Sequence, residues 1–75
     1  MTINELGREL KKMYETAPEK EQVIFIHLFG IKYGAIINKH NYSASDIIKA
    51  SGLKDSYKTE VRKGVNLSKY VSYSK

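Results

Sequence analysis

The amino-acid sequence predicts a small all-α domain of four to five helices, with a corner of two short helices and a short extended C-terminal segment. Three observations support this fold class. Apolar residues recur at intervals of three and four over most of the chain. Threonine and serine residues with helix-capping spacing precede two of these stretches, and glycines end the two stretches of the corner. Because 75 residues enclose only one small core, we expect a single domain over residues 1–75.

The first helix is predicted over residues 3–15. Thr2 and Glu5 have the spacing of a capping box, in which each side chain bonds to the backbone amide of the other residue. One face of this helix is charged, and the other carries apolar residues at helical spacing: Ile3, Leu6, Leu10 and Met13. We interpret it as a supporting helix, with contact to a second copy of the chain as an alternative role.

The most apolar part of the sequence is residues 23–37. Pro18 suits the first position of a second helix, where its missing amide is no loss. Apolar residues occur on every side of this helix, which predicts a central and largely buried position. Gly30 and Gly34 either break the helix or let another helix approach its backbone closely. We favour a break near Gly30, with a third helix over residues 31–39.

The corner begins with a short helix from about Ala44. Ser43 and Asp46 repeat the capping-box spacing, and Gly52 is placed to end the helix in the left-handed conformation. Leu53 follows and can fold under the corner. The face that we expect to point into the core carries Ala44, Ile47, Ile48 and Ser51.

The second helix of the corner is predicted to begin at Asp55 or Ser56, one of which caps it, and to end at Gly64. Tyr57 and Val61, four apart, form its narrow apolar stripe. The other side chains are short and polar or long and cationic, with little reason to be buried: Lys54, Ser56, Lys58, Thr59, Arg62 and Lys63. Such a face suits a helix in a DNA major groove.

Residues 65–73 alternate apolar and polar side chains in the manner of a strand. We interpret them as a short extended segment beside the corner, and as a rudimentary wing. Lys69 and Lys75 are candidates for phosphate contacts, although solvated lysines at the end of a chain are the simpler interpretation.

The run IIKASGLKDSYKTEVRKG, residues 47–64, resembles the motif of bacterial helix-turn-helix proteins. The whole chain also looks like a small, poorly characterised bacterial family of HTH-like domain proteins. That resemblance lies in an ELGREL first helix, an IHLFGIKY centre and an LSKYV ending. It implies a helix-turn-helix-like corner and DNA binding, but it suggests no defined operator, ligand or reaction.

One position departs from the motif. In its usual register an inward aliphatic residue falls at Lys58, which cannot remain uncompensated in a core. Either the turn differs in length and Tyr57 is the inward residue, or the segment is a two-helix corner that only resembles the DNA-binding motif. Helical corners with a glycine are common in all-α domains that do not touch nucleic acid.

The positive charge is concentrated in the second half of the chain. The formal net charge is +5; residues 1–40 hold six cationic and five acidic side chains, whereas residues 41–75 hold seven and three. The second half therefore carries +4 of the total, as an electrostatic footprint for phosphates requires. Basic surfaces can also serve solubility alone, and that interpretation stays open.

The sequence offers little support for catalysis or metal binding. Cysteine is absent, and His27 and His40 are thirteen residues apart without a helical histidine partner. His27 in an apolar helix is more typical of a core histidine with one hydrogen bond. No phosphate loop, dinucleotide fingerprint or nucleophile elbow occurs. We expect no enzyme, no cofactor and no small-molecule substrate, and a soluble, cytoplasmic protein that does not enter membranes.

The predicted function is binding of double-stranded DNA, with regulation of transcription as the role, through the helix near residues 55–63. We assign phosphate contacts to Lys54, Lys58, Arg62 and Lys63, and base-edge contacts to Ser56 and Thr59, with Arg62 or Lys58 as further base readers. Because one copy offers few contacts, we expect useful affinity to require a homodimer or a partner subunit. The alternative is a protein-interaction module, adaptor or antitoxin-like, that uses the same basic surface.

Overall fold

The structure is a computed structural model and describes residues 1–72. These residues form helices α1 (Ile3–Thr16), α2 (Gln22–Lys39), α3 (Ala44–Ser51) and α4 (Lys58–Leu67), with a 3₁₀ turn at Asp55–Tyr57 before α4. No strand occurs in this range. The predicted all-α class is therefore confirmed.

Helix α1 begins where the capping box predicts. The Glu5 amide donates to the Thr2 hydroxyl over 3.1 Å, and the Thr2 amide donates to the Glu5 carboxylate over 2.7 Å. The bond from the Thr2 amide is the main reason why the pKa of Glu5 lies below its ordinary value. Leu6 and Leu10 are completely buried, so the apolar face of α1 is used within the domain.

Helix α2 is continuous from Gln22 to Lys39, so the predicted break near Gly30 is wrong. The predicted start at Pro18 is also wrong. Residues 18–21 instead form a turn in which the Glu21 amide donates to the Pro18 carbonyl over 2.9 Å, and Lys20 has a φ of 69°. A single lysine in the left-handed region reverses the chain here before the helix can start.

The glycines of α2 bring α4 into backbone contact, which is the alternative role considered for them. A Cβ atom on Gly30 would lie 2.6 Å from the backbone of Gly64, and one on Gly34 would overlap the Ser68 side chain. Gly64 in turn lies against the His27 backbone. Contacts therefore advance in the same direction along both helices, and α2 and α4 run parallel.

Helix α2 is less buried than its apolar sequence predicts. Phe29 and Ile26 are completely buried, but Val23 and Ile24 in its first turn are 40% and 52% exposed. The reason is geometric: α1 and α4 cover two sides of α2, and a third side of its N-terminal half meets no other helix.

Helix α3 packs on α1, and both its ends follow the prediction. The Asp46 amide donates to the Ser43 hydroxyl over 3.0 Å, and Gly52 ends the helix with φ 78°. Close packing is possible because Gly7 of α1 lies against Ala50 and the Ser51 backbone, where any side chain would collide. The predicted inward face is buried: Ala44, Ile47, Ile48 and Ser51.

Helix α4 continues through Gly64 to Leu67, which corrects the predicted end at Gly64. The extended segment is wrong for residues 65–67, which are helical, and residues 68–70 form a turn. Val61, Val65 and Ser68 have helical spacing toward α2, so burial of one face favours a helix over the strand-like alternation. Tyr73 and Lys75 lie outside the described residues.

Candidate nucleic-acid interface

The corner between α3 and α4 is held by backbone and hydroxyl hydrogen bonds. The Gly52 amide donates to the Ile48 carbonyl over 3.1 Å, which completes the C-terminal cap. The buried Ser51 hydroxyl donates to the Ile48 carbonyl and accepts from the Leu53 amide. Leu53 is half-buried against the core. The chain direction after α3 is thus fixed by groups that are all paired.

The inward residue of the second corner element is Tyr57, and Lys58 lies outside the core. The chain forms a 3₁₀ turn at Asp55–Tyr57, and α4 then begins at Lys58 with no side-chain cap, so the predicted cap at Asp55 or Ser56 is wrong. Tyr57 packs on Tyr14 with ring centroids 5.5 Å apart and hydroxyl oxygens 3.2 Å apart. That hydrogen bond raises the pKa of Tyr14. Because Tyr57 is the inward residue, Lys58 does not take the inward position that the usual motif register assigns to it, and its charge is not buried.

The face of α4 opposite the core is polar and exposed. Its members are spaced by three, four and seven residues and lie on successive turns, and none of them contributes to the core. We call this surface the α4 polar face: Thr59, Arg62, Lys63 and Asn66. It combines two cations with a hydroxyl and an amide, which are the groups that bond to phosphates and to base edges.

The predicted site residues before α4 are only partly available. Lys54 and Ser56 are exposed at the N-terminal end of α4. Lys58 instead forms an ion pair with Asp55 at 3.0 Å, and its side chain is 36% exposed. The structure therefore leaves Lys54, Ser56, Thr59, Arg62 and Lys63 exposed and pairs Lys58 with Asp55 of its own chain.

Glu60 lowers the charge on one edge of α4. Its carboxylate lies 2.7 Å from His27 Nε2 and 3.7 Å from Lys63 Nζ. The hydrogen bond with His27 is the largest cause that holds the pKa of Glu60 below its ordinary value of 4.5, with Lys63 a smaller one. Glu60 therefore stays ionised and partly neutralises Lys63. Arg62 and Lys54 have no ion-pair partner within residues 1–72.

Two grooves flank the α4 polar face. One of about 290 Å³ lies between α4, the end of α2 and the start of α3, and Arg62, Asn66, Tyr42 and Ser43 are among its lining residues. The other, of about 350 Å³, lies between α4 and the middle of α2. Asn66 lines both grooves, so it stands on the ridge between them.

Asn66 is the candidate residue that the sequence analysis missed. It was left out because Gly64 was interpreted as the end of the helix. No signal in the single sequence could have found it, because the match between Gly30 and Gly34 on α2 and Gly64 and Ser68 on α4 appears only in the structure. That match extends α4 by a turn and places Asn66 beside Arg62.

The fold and this corner define a small helical domain with a helix-turn-helix-type corner. The model of the family described as HTH-like domain matches residues 2–74, so the chain belongs to that family. No curated protein and no solved structure matches the sequence. The match covers nearly the full chain and supports the predicted family resemblance.

Within residues 1–72, no three histidine, cysteine, aspartate or glutamate side chains cluster closely enough to hold a metal ion. In the same range, no helix has the length and apolar character that a bilayer crossing requires.

Proposed function

We propose that this protein binds double-stranded DNA by placing α4 in the major groove, as a transcriptional regulator and not as an enzyme. The observation that carries this proposal is the α4 polar face. Four exposed side chains on consecutive turns, including two cations, stand on a helix whose opposite face is locked to α2. A helix of ten residues is about 15 Å long, which is enough to cross the groove.

The phosphate contacts are ranked by the ion pairs that each cation already makes. Arg62 and Lys54 come first, because neither forms an ion pair within residues 1–72. Lys63 shares Glu60 at 3.7 Å and Lys58 is held by Asp55 at 3.0 Å, so both must give up a carboxylate to meet a phosphate. We therefore expect Lys58 to contribute least of the four cations.

Base-edge contacts fall to the uncharged polar side chains of the exposed face. Thr59 and Asn66 flank the two cations on that face, and Ser56 lies one turn earlier. An amide side chain can bond to two atoms of an adenine edge, which makes Asn66 the best base reader of the set. The groove beside Arg62 is also lined by the N-terminus of α3, and it leaves room for a backbone phosphate.

The experiment is a titration of a fluorescent random-sequence duplex at several salt concentrations. Wild-type protein is compared with Arg62→Ala/Lys63→Ala, and with Lys11→Ala/Lys12→Ala as a control that removes the same charge from an exposed part of α1. We expect the first variant to lose about tenfold or more in affinity at low salt and to lower the salt slope by about two, since each phosphate contact contributes about 0.9.

The control should retain the wild-type slope, because its lysines lie on a different helix from the α4 polar face. Absence of wild-type binding at low salt would end the proposal for the isolated chain. Equal losses in both variants would show that attraction depends on net charge and not on this surface.

A second candidate function is recognition of an acidic protein through the same surface. The observation that favours it is that Lys58 and Lys63 already form ion pairs with carboxylates of their own chain. Such a module, adaptor or antitoxin-like, would exchange these carboxylates for those of a partner. It would show weak duplex binding with no difference between the Arg62→Ala/Lys63→Ala variant and the α1 control.

A further inference from the structure

Exposed large apolar side chains are concentrated on one face of the domain. Six are exposed within residues 1–72, and Met1 at the chain start is one of them. The other five come from the first turn of α2 and from the end of α4 and the residues after it. We call them the apolar patch: Val23 (40% exposed), Ile24 (52%), Leu67 (43%), Tyr70 (83%) and Val71 (49%). Such a concentration marks an interaction surface.

A groove joins the two halves of the apolar patch. It encloses about 350 Å³ and is lined from both helices, by His27, Lys63, Asn66, Leu67 and Tyr70. Val23 and Ile24 precede His27 by four and three residues on α2, so they share its helix face. The His27 to Glu60 hydrogen bond fixes the groove wall by joining α2 to α4. The groove is therefore built on two helices that are joined to each other, and Val23 and Ile24 lie one turn before its His27 wall.

The charges around the patch indicate which partner covers it. Exposed residues 19–21 carry two carboxylates and one ammonium at one end of the patch, whereas exposed Lys69 and Lys63, which shares Glu60, lie toward the other. Since α2 and α4 run parallel, acid and base are separated along the patch. A twofold rotation reverses one copy end to end, which brings each acidic end onto the basic part of the other copy. A phosphate-rich partner would meet the acidic end unfavourably.

We propose that the apolar patch is the contact between two copies of this chain, packed antiparallel about a twofold axis. Ile24 and Leu67 of each copy form its centre, and Glu21 of one copy faces Lys63 of the other. A standard interface takes about 800 Å² from each partner, which is roughly a sixth of the 4906 Å² surface of one copy. The five side chains of the apolar patch bury less area than this, so we expect a dimer with a Kd in the micromolar range or weaker. The inference does not depend on DNA binding.

The test is sedimentation equilibrium of the protein without DNA, at concentrations on the order of 5 to 500 μM, which bracket a micromolar Kd. The wild-type average mass should rise from 8.6 kDa toward twice that value. Ile24→Glu/Leu67→Glu should stay at 8.6 kDa across the range. The control is Asn4→Glu, a single added negative charge on an exposed position of α1, which should dimerise as wild type does.

Charge reversal tests the orientation of the two copies. Glu21→Lys and Lys63→Glu should each weaken dimerisation about tenfold, and the double variant should recover most of the loss. Circular dichroism confirms folding, which we expect to be retained because both glutamates replace exposed side chains. A wild-type protein that stays at 8.6 kDa at the highest concentration would overturn the proposal. This is the result expected if the partner that covers the patch is a different protein. A dimer that is unchanged in Ile24→Glu/Leu67→Glu would overturn the proposal as well.

Discussion

At the residue scale, Glu60 is the most informative ionisable group. Its carboxylate joins α4 to α2 through His27, and this hydrogen bond is the main cause of its lowered pKa. A group whose pKa is lowered in the folded state stabilises the fold above its unfolded pKa, here 4.5, and that contribution is lost as the pH falls through the folded value. The free energy of unfolding should therefore decrease as the pH falls below 4.5.

The prediction concerns the pKa of Glu60 in two variants, measured by NMR titration of its side-chain carboxyl carbon. His27→Ala should raise this pKa toward 4.5, because it removes the hydrogen bond that contributes most. Lys63→Ala should raise it less, since the ammonium is 3.7 Å away and the imidazole nitrogen 2.7 Å. A larger shift in Lys63→Ala than in His27→Ala would contradict the assignment.

Asn66 and Arg62 differ in the kind of contact they are expected to make with DNA. Arg62→Ala should lower the salt slope of random-duplex binding by about one, because it removes a phosphate contact. Asn66→Ala should leave that slope unchanged and instead flatten the sequence preference selected from a randomised duplex library, because an amide reads base edges. If Asn66→Ala alters the slope and leaves the preference intact, Asn66 is a backbone contact.

At the element scale, the packing of α2 on α4 depends on glycine. Gly30→Ala should lower the free energy of unfolding by about 3 kcal/mol in urea denaturation, at the upper end of overpacking costs, because the colliding atoms are backbone. Gly52→Ala is the comparison: its φ of 78° costs about 1 to 2 kcal/mol, but the added methyl meets open space. A smaller loss in Gly30→Ala than in Gly52→Ala would argue against the close approach.

The neighbouring glycine offers a rescue experiment. A Cβ atom on Gly34 would overlap the side chain of Ser68 and not its backbone. Gly34→Ala should therefore be destabilising alone and recover much of its stability when combined with Ser68→Gly. Ser68→Gly should give no such recovery to Gly30→Ala, whose obstacle is Gly64.

The sequence predicted the elements whose signals are local. The caps at Thr2 and Ser43 and the left-handed glycine at position 52 each depend on a few adjacent residues, and the structure places them as expected. The errors concern Gly30 and Gly64, which look like helix ends when each is considered alone. Only the pairing of the two across 34 residues reveals a helix contact, and one sequence does not display that pairing.

At the candidate site too, the sequence predicted the features that depend on local signals and missed others. The cations Lys54, Arg62 and Lys63 were found because composition and helical spacing mark them as exposed. The pairing of Lys58 with Asp55 depended on the 3₁₀ turn, whose length the sequence left open. Asn66 was lost with the last turn of α4. One error at the site therefore has a local cause, the 3₁₀ turn, and the other has a tertiary cause, the contact of α4 with α2.

At the scale of the whole molecule, the α4 polar face and the apolar patch overlap at Lys63 and Asn66, which line the groove of the patch, whereas Thr59 and Arg62 lie outside that groove. The apolar patch lies on the α2 side of α4, and Arg62 lines the groove on the other side. The domain measures 32 × 25 × 19 Å, so two copies side by side have centres separated by a distance of this order. That distance is comparable to the pitch of DNA, about 34 Å, which separates two major-groove sites on one face.

Duplex length should therefore affect affinity only when the protein dimerises. A duplex of about 10 base pairs holds one major-groove site, whereas one of about 24 base pairs holds two on the same face. Wild-type protein should prefer the longer duplex by at least tenfold beyond the gain from additional binding positions, because the second copy binds intramolecularly. Ile24→Glu/Leu67→Glu should show only that statistical gain. Since it adds two negative charges and Asn4→Glu adds one, its affinity for the short duplex should fall by no more than the square of the fold-loss in Asn4→Glu. A length preference that survives in the Ile24→Glu/Leu67→Glu variant would mean that the copies bind independently or through another surface.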